Sequence, residues 1–475
     1  MTDQQRGDTL LPGSKAIMPN ARRLRERGVV FSNAFCASPH CCPSRATFFS
    51  GLYPSMHGVW NNVNVSNALS RGLYDNVRLF SEDLKENGYK MYFSGKWHVS
   101  SREGPQSRGF ETVYHRALYH ESPNLPDAKG WDLYKWCETD GEGGERGPAE
   151  IVRPGYPRYV QYAASENPFG DSKVAERAEE KLRELPPDEP FCMFVGPDGP
   201  HDPYIPPQRF LDMYDINDIE LPESFFDGME DKPALYRRTR DRFSQLAPDE
   251  HRECIRRYLA FCSYEDHLLG RLLDVLDERG MWEDTVVMYL SDHGDYAGAH
   301  GLWTKGLPCF REAYNICALV GGGPVVGPGR AEDALISLAD FAPTILELAG
   351  IKKADRDFPG LSLAPILKNE TPPEWRTELF TQTNGNEIYG VQRAVFGKEY
   401  KLVYNTFDYD EFYDYKNDPH ETVNQINNPA CKDKIRELHE KLWRFAYENQ
   451  DGCVTDYIMT ALAAYGPGCA IKNND

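Results

Sequence analysis

The residues with the most chemical potential lie in a short segment near the N-terminus. Residues 41–45 read Cys-Cys-Pro-Ser-Arg, which has the form C-x-P-S-R. A cysteine can act as a nucleophile, a metal ligand or a small buried apolar residue. Cys41 and Cys42 could therefore belong to the core, or join Cys36 and His40 in a zinc site. Zinc is disfavoured, because no second Cys-x-x-Cys or His-x-x-x-His pair lies at a usable distance.

A second polar segment follows an apolar run in the later part of the chain. Residues 285–290 favour a strand, and residues 291–295 read Ser-Asp-His-Gly-Asp. Ligands of α/β proteins meet the sheet at the carboxyl ends of its strands. Asp292 and His293 therefore lie where a ligand would meet such a sheet. Taken alone, the Asp-His-Gly sequence could equally form a turn.

Three further segments carry cationic or titratable side chains. Residues 95–98 read Gly-Lys-Trp-His, residues 200–203 read Pro-His-Asp-Pro, and residues 301–306 read Gly-Leu-Trp-Thr-Lys-Gly. The first two follow predicted strands, although a lone Lys-Trp-His would more often be surface decoration. His300 directly precedes the third segment and is better explained as a structural loop residue than as a catalytic one.

Taken in their order along the chain, the segments resemble the motifs of the type I sulfatases. In that family the cysteine of C-x-P-S-R is oxidised after translation to Cα-formylglycine, so the resemblance implies that Cys41 becomes an aldehyde. The hydrated aldehyde carries two hydroxyls on one carbon. One attacks sulfur, and the other, once deprotonated, collapses to the aldehyde and expels sulfate. The resemblance covers nearly the whole chain, including a C-terminal Asp-Pro-x-Glu turn at residues 418–421.

The resemblance also implies a divalent metal ion. Its predicted ligands are Asp3 and Gln4 in the N-terminal loop, Asp292, His293 and a hydroxyl of modified Cys41. Many sulfatases carry two consecutive aspartates where this chain has Asp3 and Gln4, and an amide oxygen can also ligate calcium. Calcium is the family expectation, while magnesium and manganese stay open.

The remaining motif residues have implied roles around the sulfuryl group. Arg45 would hold the nucleophile and the metal site through charge-assisted hydrogen bonds. Lys96 would bridge the sulfate and the formylglycine oxygen. Lys305 would bind the ester oxygen and, with His201, protonate the departing alkoxide. His98 would remove the proton of the second hydroxyl.

Composition and charge limit the expected partners. The 475-residue chain is 40% hydrophobic, which supports a well-buried core in one large α/β domain with a smaller appendage. Its formal net charge of −20 argues against nucleic acid or an anionic membrane as the main partner. No apolar run is long enough to span a bilayer. The expected partners are a sulfated small molecule or saccharide and a formylglycine-generating maturase, with the oligomeric state left open.

The cysteines and the N-terminus bear on localisation. Twelve cysteines at irregular spacings do not indicate a disulfide framework in so large a chain, and no signal peptide precedes the first motif. These observations favour the cytoplasm. Sulfatase-like chains, however, usually place a buried strand directly before the first metal loop, which here is the N-terminus itself. Either the true start lies upstream, with an export signal, or the sheet has one strand fewer.

The elements that must position these residues alternate along the chain. Strands are predicted at 29–31, 89–94, 191–195 and 285–290, and helices at 19–28, 77–87, 171–185, 249–279 and 339–350. The alternation indicates a parallel, doubly wound sheet, and the resemblance implies an alkaline-phosphatase-like α/β fold with a large mixed sheet flanked by helices. Short strands and a helix over 432–447 predict a small antiparallel sheet with one covering helix. We therefore expect a catalytic domain over 1–374 and an α+β subdomain over 375–475.

One long stretch breaks the alternation. Residues 114–169 are rich in Gly, Pro, Tyr and Trp and show little periodicity, which predicts a surface excursion near the site. Its Trp131, Trp136, Tyr156 and Tyr159 could stack on an aryl or sugar group. The favoured interpretation is that they fix the loop in place.

The sequence thus predicts a sulfuric ester hydrolase that acts on a sulfated sugar or an aryl sulfate. One alternative is a phosphonate monoester or phosphodiester hydrolase of the alkaline phosphatase superfamily, because sulfuryl and phosphoryl groups share size and tetrahedral shape. Another is a non-catalytic binding protein, which would follow if Cys41 stayed a thiol.

Overall fold

The computed structural model describes residues 1–115, 146–351, 356–372, 374–386, 388–454 and 457–471. Trp131 and Trp136 lie outside the described residues. In the described ranges no helix has both the length and the apolar composition needed to cross a membrane. The fold is mixed α/β, as predicted, with helices packed on two sheets and a separate antiparallel sheet near the C-terminus.

The first sheet is mixed. Its strands are β1 (Gly28–Phe31), β8 (Val286–Leu290), β9 (Ala318–Gly322) and β10 (Arg330–Glu332), in the order β10-β1-β9-β8. Strand β9 runs antiparallel to both β1 and β8. The expectation of a parallel sheet is therefore wrong here. A parallel neighbour needs a crossover, usually a helix, whereas the described connection from β8 to β9 contains only short helical turns.

The second sheet is parallel, as the alternation predicted. Its order is β4 (Glu111–His115), β3 (Lys90–Gly95) and β7 (Phe191–Gly196). Strands β3 and β7 end side by side, with Gly95 opposite Gly196. Gly95 has φ +111° and a Cβ there would lie 2.1 Å from the carbonyl oxygen of Gly196. Only glycine allows this close approach. Because the two strands are parallel and end in register, both loops leave the sheet at the same edge.

The N-terminal residues connect these two sheets. The Met1 amino group donates to the Val195 carbonyl at 2.7 Å. The Thr2 N–H donates to the Leu290 carbonyl at 2.8 Å, and Thr2 forms a parallel bridge with Ser291. Residues 1–3 therefore lie between the carboxyl ends of β7 and β8, and Asp3 enters the site at this position.

Helices cover the sheets. The α-helices are α1 Pro19–Arg25, α2 Cys41–Ser50, α3 Pro54–His57, α4 Phe80–Glu86, α5 Asp171–Glu184, α6 Gln208–Leu211, α7 Ala234–Asp241, α8 Pro248–Arg279, α9 Arg311–Tyr314, α10 Phe341–Leu348, α11 Ala364–Leu367, α12 Lys432–Glu448, α13 Tyr457–Thr460 and α14 Gly468–Ile471. The long helix α8 packs against α1 and α5. It ends where Gly280 takes φ +64°, which is the usual C-terminal signal. Short strand pairs complete this part: β2 (Ala34–Phe35) with β11 (Ile336–Ser337), and β5 (Glu150–Ile151) with β6 (Tyr159–Val160).

The C-terminal sheet is an antiparallel meander. It contains β12 (Glu378–Gly385), β13 (Tyr389–Gly397), β14 (Tyr400–Asn405) and β15 (Glu411–Asp414) in that order. Helix α12 covers one face, and its Leu442 and Trp443 share a buried cluster with Leu402 of β14. The other face packs toward the catalytic part, since the Phe35 and Phe396 rings lie 5.0 Å apart. The division at residue 374 stays a prediction.

Candidate active site

Cys41 is the first residue of helix α2. The chain leaves β2, and the helix begins at Cys41 with every residue to Ser50 buried. A helix N-terminus presents free N–H groups and positive potential, which favour an anion. One of these groups is already used, because the Cys42 N–H donates to Asn62 at 3.1 Å.

Four predicted metal ligands meet beside this helix end. Asp3, Cys41, Asp292 and His293 are all buried, and each offers one ligand atom within 4.8 Å of the others. Cys41 Sγ lies 3.2 Å from His293 Nε2 and 3.6 Å from Asp3 Oδ1. The sulfur occupies the position that a hydroxyl oxygen of the modified residue would take. Two carboxylates, an imidazole and that oxygen are a suitable donor set for a divalent cation.

The imidazole of His293 is held in the orientation that metal binding requires. Its Nδ1 lies 2.9 Å from the Gly294 carbonyl oxygen, so Nδ1–H donates and Nε2 keeps a lone pair. Burial lowers the pKa of His293, which favours the neutral ring. Asp292 is also fixed, because its Oδ1 accepts from the His293 N–H at 2.9 Å.

Arg45 joins the two acidic ligands from one turn along α2. Its Nε donates to Asp292 Oδ2 at 2.8 Å, and a terminal nitrogen donates to Asp3 Oδ2 at 3.3 Å. A third donor contacts the carbonyl oxygen of Lys96 at 3.0 Å. Burial would lower the pKa of Arg45, but Asp292 and Asp3 raise it, so the guanidinium stays charged.

Lys96 adds a second buried cation to the same carboxylates. Its Nζ lies 2.6 Å from Asp3 Oδ2 and 3.1 Å from Asp198 Oδ1. Burial would raise the pKa of Asp3, but Lys96, His201 and Arg45 lower it well below its ordinary value. Asp3 is therefore ionised and able to bind a cation.

His201 and Lys305 form a second cationic group on a more open side. The Lys305 Nζ lies 2.5 Å from His201 Nε2, and His201 Nδ1 lies 2.6 Å from the Asp202 carbonyl oxygen. Burial and Lys305 lower the pKa of His201, but Asp202, Cys41 and Asp3 reverse the effect and leave it raised. In the contact between Nζ and Nε2 one nitrogen donates and the other accepts, so the pair shares a proton that it can deliver to a leaving oxygen.

The side chain of Gln4 contacts this second group. Its Oε1 accepts from Lys305 Nζ at 2.5 Å, and its Nε2 donates to Asp295 at 2.5 Å and to Asp202 at 3.2 Å. Its backbone N–H donates to Asp292 Oδ1 at 3.1 Å. The amide oxygen of Gln4 thus accepts a hydrogen bond from Lys305. Its role as a metal ligand stays a prediction.

His98 lies at the rim of the cluster. It has φ +52°, and its Nε2 lies 2.9 Å from Asn64 Oδ1. Its Nδ1 is buried and has no hydrogen-bond partner. Burial, Lys96 and Arg45 lower the pKa of His98 well below the ordinary value, so the ring is neutral with Nδ1 as a proton acceptor. It is a weaker base than a histidine with a pKa near neutrality, which the sequence suggested.

Two acidic site residues were missed by sequence reasoning. Asp198 pairs with Lys96, and Asp202 Oδ2 accepts from Tyr159 at 3.0 Å. Both aspartates follow strand β7, and this position was the available signal. Tyr159 thus contacts the site, whereas Tyr156 is half-exposed and packs on Arg153.

Comparisons with known proteins place most of the chain in one family. The family described as "Sulfatase" matches residues 1–351, and "N-sulphoglucosamine sulphohydrolase, C-terminal" matches residues 298–448. A choline-sulfatase of Rhizobium meliloti (strain 1021) is 29% identical over 447 residues, covering 90% of this chain and 82% of that protein.

Solved structures share the fold. A protein in complex with its substrate D-glucosamine-2-N,6-O-disulfate aligns with a TM-score of 0.73 and 22% identity, covering 95% of this chain and 97% of that one. A phosphonate monoester hydrolase of Agrobacterium radiobacter aligns with a TM-score of 0.76 and 20% identity, covering 96% of each chain. The two occupy the same fold class with different esters, so the fold does not choose between sulfate and phosphonate.

Proposed function

This chain belongs to the sulfatase family and is a sulfuric ester hydrolase, and we propose that Cys41, matured to formylglycine, supplies its nucleophile. The observation that carries the proposal is the position of Cys41. Its Sγ lies 3.2 Å from His293 and 3.6 Å from Asp3, at the N-terminus of α2. A hydroxyl at this position would be next to both the metal ligands and the anion-binding helix end.

A divalent cation at Asp3, Asp292 and His293 would supply Lewis-acid charge stabilisation. We assign this ion as calcium, with magnesium or manganese as alternatives, because oxygen donors predominate in the set. Asp3 and Asp292 are kept ionised and in place by Arg45. The chain thus builds the metal site with buried charges that are already paired.

The bound sulfuryl group would lie between two sets of cations. Lys96 and the N-terminus of α2 are on one side, and Lys305 and His201 are on the other. Positive charge fixed in advance stabilises the oxygens that gain charge in the transition state. When a hydroxyl of the hydrate attacks sulfur, its proton passes to Asp292 and the S–O bond to the alcohol breaks. His201 with Lys305 protonates the departing oxygen.

Release of the enzyme-bound sulfate needs a base rather than a second attack at sulfur. Nδ1 of His98 is an unpaired acceptor on a neutral ring. Taking the proton of the remaining hydroxyl lets that oxygen form the aldehyde carbonyl while the C–O bond to sulfate breaks. Water then restores the hydrate, so each turnover consumes one water and produces one alcohol and one sulfate.

We propose a sulfated saccharide as the physiological substrate, with aryl sulfates as assay substrates. An N-acetylglucosamine-6-O-sulfatase of Bacteroides thetaiotaomicron is 24% identical over 494 residues and covers 89% of this chain. The structural neighbour bound to a disulfated glucosamine supports the same class. At the site, Asn64, Asp202 and Tyr159 offer polar groups that suit sugar hydroxyls.

Maturation requires an enzyme that oxidises Cys41, and a formylglycine-generating maturase is part of the proposal. The described cysteines are free thiols. Reduced thiols are usual in the cytoplasm, so we propose the cytoplasm as the location.

Mass spectrometry of the tryptic peptide that contains Cys41 tests the proposal. Conversion to formylglycine lowers the peptide mass by about 18 Da, and the matured fraction should scale with activity on 4-nitrophenyl sulfate. Cys41→Ala should lower kcat by a factor on the order of 10⁶. Cys42→Ser is the matched control. Cys42 is adjacent to Cys41 in the sequence, and its Sγ accepts a hydrogen bond from the Val63 N–H.

Two results would count against the proposal. An unmodified peptide from active enzyme would remove the nucleophile. A higher kcat/KM on aryl phosphonate than on aryl sulfate would favour the phosphonate hydrolase alternative.

A further inference from the structure

A second group of metal-binding residues lies outside the catalytic cluster. His300, Glu312 and Glu421, here called the junction cluster, each offer one ligand atom, and these atoms lie within 4.8 Å of one another. His300 follows the catalytic metal loop, Glu312 is in α9, and Glu421 follows β15 in the C-terminal part. None of the three is used by the proposed mechanism.

His300 is held in one orientation and one tautomer. Its backbone has φ +53°, and its ring stacks on Phe310 with centroids 3.5 Å apart and planes 11° apart. Nδ1 lies 2.8 Å from Asp227 Oδ2, so Nδ1–H donates to the carboxylate and Nε2 keeps its lone pair. A carboxylate behind an imidazole is the arrangement found around histidines that ligate metals.

Two donor atoms in the junction cluster lack partners. His300 is completely buried, and its Nε2 has no hydrogen-bond partner. The same is true of the buried Oε2 of Glu312. A buried polar atom without a partner destabilises the folded state, because it loses its hydrogen bonds to water. Two such atoms facing one site indicate a missing ligand rather than two separate defects.

The third member is firmly positioned. Glu421 is buried, and its carboxylate accepts from the Arg311 N–H at 2.9 Å and from Tyr415 at 2.8 Å. Lys401 lies 2.6 Å away and compensates this one charge. Within the described residues no ion pair involves Glu312, whose charge acts on Arg6 only at longer range.

We propose that His300, Glu312 and Glu421 bind a structural divalent transition-metal ion, with Zn²⁺ as the expected occupant. Zinc accepts imidazole nitrogen and carboxylate oxygen at about 2.0–2.2 Å. The three ligand atoms lie within 4.8 Å of one another. A small movement of the side chains would therefore bring all three into contact with one ion. The ion joins loops of the catalytic part to the segment after β15, and its role is to stabilise that junction.

Metal content of the full-length enzyme tests the proposal independently of catalysis. Zinc and calcium per chain are measured by mass spectrometry after dialysis with ZnCl₂ and removal of excess metal. Asp292→Asn, which impairs the catalytic cluster, should retain one zinc per chain. Glu312→Gln should lose that zinc and keep the catalytic ion. In competition with a chromophoric chelator, Asp227→Asn should weaken zinc binding by about 10–100-fold, because it removes the residue that orients His300.

A neighbouring histidine provides the matched control. His420 is adjacent to Glu421, but its Nε2 pairs with the exposed Glu223 at 3.1 Å. His420→Gln should therefore bind zinc as the unaltered chain does. Removing zinc should lower the Tm of the unaltered enzyme and leave the Tm of Glu312→Gln unchanged.

Two results would overturn the proposal. One is an Asp292→Asn protein without a tightly bound zinc ion. The other is a Glu312→Gln protein that binds zinc like the unaltered enzyme. Either result would mean that His300 and the two glutamates interact through hydrogen bonds and hold no metal ion. Because these readouts do not depend on turnover, failure of the sulfatase mechanism would not affect them.

Discussion

The proposed active site has two sides that differ in how their charges are compensated. The inner side comprises Asp3, Arg45, Asp292 and His293, which are completely buried. The outer side comprises His201, Asp202 and Lys305, whose side chains are 26%, 17% and 11% exposed. The inner side fixes charges by pairing them, and the outer side leaves a proton available to a substrate.

This difference would allow the proposed site to hold a metal on one side and transfer protons on the other. Buried ion pairs are costly to break, because a lone charge remains without solvent. They therefore keep one ionisation state over a wide pH range. Partly exposed groups can titrate and move, and the two sides should respond differently to substitution. The predictions below run from the largest expected effect to the smallest.

Asp292→Asn should remove the metal and nearly all activity. The substitution leaves Arg45 Nε facing an amide and removes one of two ligand carboxylates. We expect kcat to fall by at least about 10³-fold. Metal analysis and activity on 4-nitrophenyl sulfate check this result. Asp8→Asn, an exposed position on the same N-terminal loop, should change neither.

The two lysines should separate stability from catalysis. Lys96→Ala and Lys305→Ala should each lower kcat by about 10²–10³-fold, because each removes a donor to the sulfuryl oxygens. Lys96→Ala should also lower the free energy of unfolding by about 3–5 kcal/mol, since Asp3 and Asp198 lose their buried partner. Denaturant unfolding of both variants measures the difference. Equal stabilities would show that Lys96, which pairs with Asp3 of the inner side, is no more strongly paired than Lys305.

His201 should control the alkaline limb of the pH profile. Its raised pKa means that the acid form is present below that pKa and is lost as pH rises through it. With an alkyl sulfate, kcat/KM should fall with increasing pH, and His201→Gln should flatten this limb and cost about 10²-fold. With 4-nitrophenyl sulfate the cost should be much smaller, because the leaving group needs little protonation. Equal losses on both substrates would contradict the acid role.

Gln4→Ala should have the smallest effect of this set. The amide orients Lys305 and bridges it to Asp295. Its loss should lower kcat about tenfold, within the cost of one or two hydrogen bonds to a charged group, and leave the metal content unchanged. Loss of metal in this variant would instead place Gln4 among the ligands.

The sequence anticipated the elements that have strong local signals. The predicted helix over 249–279 corresponds to Pro248–Arg279, because its cap residues and apolar spacing act within the helix itself. The predicted strand over 191–195 corresponds to Phe191–Gly196. Strand direction was not accessible in this way. Strand β9 runs antiparallel to β8 because the connecting loop begins and ends at the same edge of the sheet. No local sequence pattern predicts the path of that loop.

Residue types and motif order by themselves determined the family, the ester chemistry and the identity of Cys41, Asp292 and His293 as candidates. These are properties of local sequence, and they can be recognised without knowing how the chain packs. Only the tertiary structure decided that Gln4 contacts Lys305, that Asp198 pairs with Lys96, and that His300 meets Glu312 and Glu421. The physical reason is that each of these contacts joins distant segments, so its distance depends on how the whole chain packs.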